Sequence, residues 1–152
     1  MTCRSFMTAD PLTLTADDTI GRAAERLLAH RYIILPVVAR DARYLGLFGV
    51  FELVGLLLPK AATLNELVPD LGFLPDDVAG LRSRLGELAQ QPVGRFARTD
   101  LPMLRPDTSI VEALLLFYRH RSTLPVVEER SERLIGVLSY WDALAALAGT
   151  RR

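Results

Sequence analysis

The residue types that do chemistry are scarce in this chain, and their spacing excludes most reactions. Lysine occurs once, at Lys60. That removes a Gly-Lys-Ser/Thr phosphate loop and leaves little room for a Schiff-base lysine. Cys3 is the single cysteine, so no disulfide and no thiolate zinc site can form within the chain. His30 and His120 lack both a nearby cysteine and His-Glu-x-x-His spacing. Neither Gly-x-Ser-x-Gly nor Gly-x-Gly-x-x-Gly occurs, and no serine has a recognisable base close in sequence. These absences predict no catalytic residue, no metal site and no enzyme. What remains is Ser139-Tyr140-Trp141-Asp142, a Ser-x-x-Asp run that directly follows the apolar Leu134-Ile135-Gly136-Val137-Leu138. At a strand-to-helix junction this spacing makes a capping box.

That run closes a unit that occurs twice. With Phe6 set against Phe96, Asp10 meets Asp100, Leu14 meets Leu104, Ile20 meets Ile110, and His30-Arg31 meets His120-Arg121. One residue then drops out, and Leu35-Pro36-Val37-Val38 meets Leu124-Pro125-Val126-Val127. The residue is regained in the next turn, so Gly46 meets Gly136. The period and order define an internal repeat.

Each copy reads as β-α-β-β-α. An extended segment at Pro11–Leu14 or Leu101–Leu104 leads to a helix, with Asp17 or Asp107 as the expected cap. The helix runs to His30-Arg31 or His120-Arg121, side chains suited to a helix C-terminus. Leu-Pro-Val-Val predicts a buried strand with its proline at the start or at an edge. A polar turn, a returning strand and a last helix from Val50 or Tyr140 complete the unit. The expected organisation is a first copy at 3–58, a helical insert at 59–92 and a second copy at 93–148. Within the insert, Thr63–Val68 predicts a short element. Pro69–Gly72 and Pro75–Asp77 give turn and helix-start signals. Val78, Leu81, Leu85 and Leu88 form a helical stripe ending near Gln90-Gln91-Pro92.

Composition narrows the function classes. The 152 residues are 50% hydrophobic and 24% charged, enough to build a core. Eighteen basic residues balance eighteen acidic ones, which argues against a broad nucleic-acid footprint. The apolar run from Tyr44 to Pro59 is interrupted by Glu52 and Gly55 and is short against the roughly 20 residues of a membrane span, so no membrane insertion is expected. No apolar run follows Arg4 in the manner of a secretory signal, and the lone cysteine suits a reducing cytoplasm. The last helix of each copy is apolar on most sides, Leu53 to Leu58 and Ala143 to Leu147, which calls for a partner either inside the monomer or, as the preferred reading, across a homodimer interface.

The repeated pattern resembles the CBS domain, named after cystathionine beta-synthase. The matching residues are Phe6 to Pro11, the Leu-Pro-Val-Val strand, and Gly136 to Asp142. Two copies resemble a Bateman module. The resemblance implies an α+β (mixed α/β) fold in which the copies pack with pseudo-twofold symmetry, their small mixed sheets flanked by helices. It implies a regulatory sensor of AMP, ADP, ATP or S-adenosylmethionine, with no obligatory cofactor and an unidentified regulated protein as partner. In the family the Asp of Gly-h-h-Ser/Thr-x-x-Asp (h, apolar) accepts from ribose hydroxyls. Carried over, the better cleft takes Ser139, Tyr140 and Asp142 with Met7, Leu12, Tyr32, Ile33 and Ile34. The weaker cleft takes Glu52, Pro102, Arg121, Ser122 and Thr123. Copy one departs from the signature, because Gly49 replaces the hydroxyl residue and Glu52 the aspartate. Ile33-Ile34 and Ser122-Thr123 stand where some members carry phosphate-binding basic residues, which weakens a triphosphate reading. A ligand-free dimeric interaction scaffold is the alternative.

Overall fold

The computed structural model describes residues 1–60 and 78–150. The expectations at 63–68, 69–72 and 75–77 lie outside the described residues. Among the described residues, two three-stranded sheets carry five α-helices. The first copy contributes β1 (Thr8–Ala9), β2 (Leu14–Thr15), α1 (Ile20–His30), β3 (Ile34–Val38), β4 (Tyr44–Gly49) and α2 (Val50–Leu57). Helix α3 (Val78–Leu88) belongs to the insert. The second copy adds α4 (Ile110–His120), β5 (Leu124–Val127), β6 (Leu134–Leu138) and α5 (Tyr140–Ala148).

The caps differ from expectation. Thr19 precedes α1, and its hydroxyl accepts the Arg22 N–H at 3.1 Å; Ser109 does the same for Glu112 at 3.2 Å. Asp17 and Asp107 stand two residues too early to reach those amides. Asp17 instead pairs with Arg40 at the surface, 3.1 Å away. Helices α1 and α4 end with Arg31 and Arg121 in the left-handed region, at φ 55° and 54°. Each turns the chain into the next strand through an N–H bond back onto the last helical turn.

The hairpin strands follow the repeat, including an irregularity after Val37 and its counterpart after Val126, whereas the expected Leu101–Leu104 segment makes only a single bridge, Leu104 to Val126. Pro36 departs from the expected edge position, since β3 is the central strand of the order β2-β3-β4. It is tolerated because the β2 ladder begins one residue later, at Leu14↔Val37. In the insert, α3 ends at Leu88, short of the expected Gln90. Leu85 and Leu88 pack on the first copy's core beside Leu53 and Leu56 of α2, whereas Val78 is exposed.

The copies exchange their opening segments. Strand β1 of copy one pairs with β6 of copy two, Thr8↔Val137 and Ala9↔Gly136. Arg98, the counterpart of Thr8, pairs with Leu47 of β4 through N···O contacts of 2.7 and 2.9 Å. The repeated glycines permit this approach. A Cβ on Gly136 would lie 2.7 Å from the Met7 sulfur, and one on Gly46 would lie 2.8 Å from the Arg98 carbonyl oxygen. Cys3 is consequently buried in the core of copy two, against Leu101, Leu104 and Leu138. Val93 occupies the matching place in copy one, against Leu14, Ile20 and Phe48.

Candidate functional site

The exchange leaves a cavity of about 350 Å³ between the copies. Copy one walls it with Pro11 and Leu12, and with the stretch from His30 to Pro36 that leaves α1 and enters β3. Copy two supplies Thr123, Val137, Ser139, Tyr140 and Trp141, where β6 turns into α5; Thr8 closes the floor. The volume falls in the lower part of the range for small-molecule sites, about 300–1,000 Å³.

Ser139 caps α5, and Asp142 answers it. The Ser139 hydroxyl accepts the Asp142 N–H at 3.2 Å and donates to the Asp142 carboxylate at 2.8 Å, and that carboxylate also accepts the Ser139 N–H at 2.8 Å. The Thr8 hydroxyl lies 3.0 Å from both Asp142 oxygens. Asp142 is only 3% exposed and sits behind the cavity wall, so it ties the α5 N-terminus to β1 across the pseudo-twofold. Tyr140 and Trp141 are the first two residues of α5. Their backbone N–H groups have no protein acceptor among the described residues, as first-turn amides lack intrahelical partners.

The ionisable groups in the lining are His30, Arg31, Tyr32 and Tyr140; no carboxylate belongs to it. The His30 ring stacks on Tyr32, with centroids 6.1 Å apart. The Arg31 guanidinium has no ion pair or hydrogen bond among the described residues. The lining thus combines two residues whose N–H groups lack a protein acceptor among the described residues, a serine and an arginine with the apolar and aromatic Leu12, Tyr32, Ile33 and Ile34. Such a site can hold a flat apolar ring and anchor oxygen atoms beside it.

Of the residues carried over for the better cleft, Ser139, Tyr140, Leu12, Tyr32, Ile33 and Ile34 line the cavity. Met7 packs instead under Gly136 against copy two's core. Sequence reasoning misses Trp141, 65% exposed on the lip, although it stands inside the Ser-x-x-Asp run. It also misses Thr8 as the partner of Asp142, since no local signal joins residues 134 apart.

The residues assigned to the other cleft have separate engagements. The Glu52 carboxylate accepts the Gly49 N–H at 3.0 Å and caps α2. The Arg121 guanidinium lies over the Tyr118 ring, 4.8 Å from its centroid. Ser122 is buried and donates to the Thr123 carbonyl, Pro102 is half-buried, and Thr123 faces the cavity described above. Among the described residues no His/Cys/Asp/Glu cluster could hold a metal, and no helix is long and apolar enough to cross a membrane.

Two repeats, each a helix, a two-stranded hairpin and a second helix, that exchange opening segments and enclose a cleft define a tandem-repeat module. The CBS domain family matches residues 3–59 and again 93–149, so the chain belongs to the CBS-domain family. Among solved structures, the CBS-pair protein CBSX2 from Arabidopsis thaliana is similar, with 20% identity, a TM-score of 0.75, and 97% of this chain and 94% of that chain covered. A CBSX2 structure in complex with AMP has 19% identity and a TM-score of 0.72, covering 97% and 96%. A CBS domain-containing protein of Bacillus anthracis has 16% identity and a TM-score of 0.75, covering 98% and 94%. No curated protein matches the chain in sequence. The family relationship and the mixed α+β architecture of paired repeats agree with the sequence reading.

Proposed function

We propose that this protein is a regulatory sensor that binds an adenosine-containing small molecule in the cavity between its copies. AMP, ADP, ATP and S-adenosylmethionine are the candidate ligands. Occupancy passes to an unidentified partner protein or to the packing of a homodimer. The observation that carries the reading is the cavity itself, whose aromatic and apolar lining includes two helix-start residues with N–H groups that lack a protein acceptor among the described residues. The AMP complex of CBSX2, a protein of the same fold, supports the ligand class.

In this reading Leu12, Tyr32, Ile33 and Ile34 enclose the adenine. Ser139, the Tyr140 and Trp141 amides and Arg31 receive ribose or phosphate oxygens. Asp142 positions Ser139 and reaches a ribose only where the Thr8 hydroxyl gives way. The chain performs no catalysis of its own, and a reducing cytoplasm suits its buried thiol. A ligand shifts dimer packing only if it binds one packing better than the other.

A thermal-shift series with the four ligands tests this. At a hundred times its dissociation constant a ligand stabilises the fold by about 2.7 kcal/mol, read as a rise of several degrees. Asp142→Ala is expected to weaken binding several-fold by releasing Ser139 and the α5 N-terminus beside the cavity, since a lost cap costs about 1 kcal/mol. No shift with any of the four, for a cleanly folded protein, overturns the sensor reading. The alternative is then a ligand-free dimeric scaffold. It is favoured by the apolar face of α4 and α5, where Val111, Tyr118, Leu144 and Leu147 are exposed.

A further inference from the structure

We infer that the chain carries one ligand cleft rather than two, because copy one closes its own strand-to-helix junction with main chain. The inference rests on the proposed use of these junctions as ligand sites. In copy two, pairing between β5 and β6 stops at Leu124↔Leu138, and the chain opens into Ser139. In copy one, pairing continues one residue further, to Ile34↔Gly49. The Ile33 carbonyl then accepts the Val50 N–H at 2.8 Å. Val50 is the counterpart of Tyr140, which lines the cavity and whose N–H has no acceptor among the described residues. The closure thus removes one of the two amides that a ligand would meet at α2.

The substitution in the signature follows from this packing. A Cβ on Gly49 would run into the Ile33 carbonyl oxygen and lie 2.8 Å from the Ile34 Cα. No hydroxyl-bearing side chain fits there while the zipper holds. The other groups near this junction are also satisfied internally. Glu52 accepts from Gly49. Arg98, the counterpart of Thr8, is held by Asp100 at 2.6 Å, with Glu52 close enough to favour its charged form further. The Arg121 guanidinium, counterpart of Arg31, lies against Tyr118, and the Ser122 hydroxyl is spent on Thr123. Open donors gather on one side of the pseudo-twofold and closed ones on the other.

Two measurements on the full chain test the inference. Amide hydrogen exchange without ligand should show Val50 protected like the neighbouring β3 and β4 amides, about a hundredfold or more beyond Tyr140. Titration with AMP, followed by calorimetry, should saturate at one equivalent per chain. Gly49→Ser should lower the melting temperature by several degrees and abolish Val50 protection. Equal exchange at Val50 and Tyr140, or two AMP equivalents per chain, overturns the inference. Should AMP fail to bind while Val50 stays protected, the closure stands and the sensor reading is the one that fails.

Discussion

Cys3 shows how a single side chain couples the copies. It belongs to the first copy by sequence yet is fully buried in the second copy's core. Burial, aided by the Glu112 carboxylate, pushes its thiol from 9.0 up to about 11. A raised pKa means that the folded state holds the proton longer than the unfolded state. The stabilising contribution is therefore complete below about pH 9 and is lost as pH rises through 11. Burial, with help from Asp100, pushes Tyr44 upward as well, so its loss of stability begins at higher pH, from about 10. Urea titrations between pH 8 and 11 should show stability falling with pH, and Cys3→Ala should flatten the slope between 9 and 11 by about 2 kcal/mol over that window. An unchanged slope would mean that Cys3 is not the group responsible.

The turns and junctions decide the geometry of each element. Ala42 closes the turn between β3 and β4 at φ 69°, and Glu132 does the same in the second copy at φ 58°. A Cβ in this region costs about 1–2 kcal/mol, and glycine avoids it. Ala42→Gly is expected to stabilise the fold by about 0.5–1 kcal/mol after the added unfolded-state entropy is subtracted, raising Tm by about 1–4 °C. Differential scanning calorimetry checks the sign; a lower Tm would show that Ala42 makes contacts worth more than its strain. Ser139 serves the same local purpose for α5 and also lines the cavity, so a cap and a binding group coincide. That coincidence is why the capping box and the ligand signature are two readings of one motif in the sequence alone.

At the scale of the molecule, the exchanged segments make the two copies one cooperative unit. Copy two lacks the Cys3 side chain and the β1 strand when its partner is absent, and copy one lacks Val93 and the Arg98 bridge. A fragment beginning at residue 90 should therefore show no cooperative thermal transition by circular dichroism. A transition near that of the full chain would mean that copy two completes its sheet without β1. The same exchange creates the cavity, since its two walls come from α1–β3 of one copy and β6–α5 of the other.

Local patterns are legible in the amino-acid sequence by itself. The repeat, the Leu-Pro-Val-Val strands, the helix ends at His-Arg and the junction at Ser139 all rest on spacing and turn chemistry, which act between neighbours in sequence. The capping residues are less legible, because the helix start depends on which side chain reaches the N3 amide, and Thr19 and Ser109 are nearer than Asp17 and Asp107. Tertiary structure alone decides what spans the pseudo-twofold. It joins Thr8 to Asp142, draws Met7 under Gly136, and brings Thr123 to the same cavity as Ile34. Each of these contacts depends on how closely two backbones approach, and that distance is set by the packing of the whole fold rather than by any pattern along the chain.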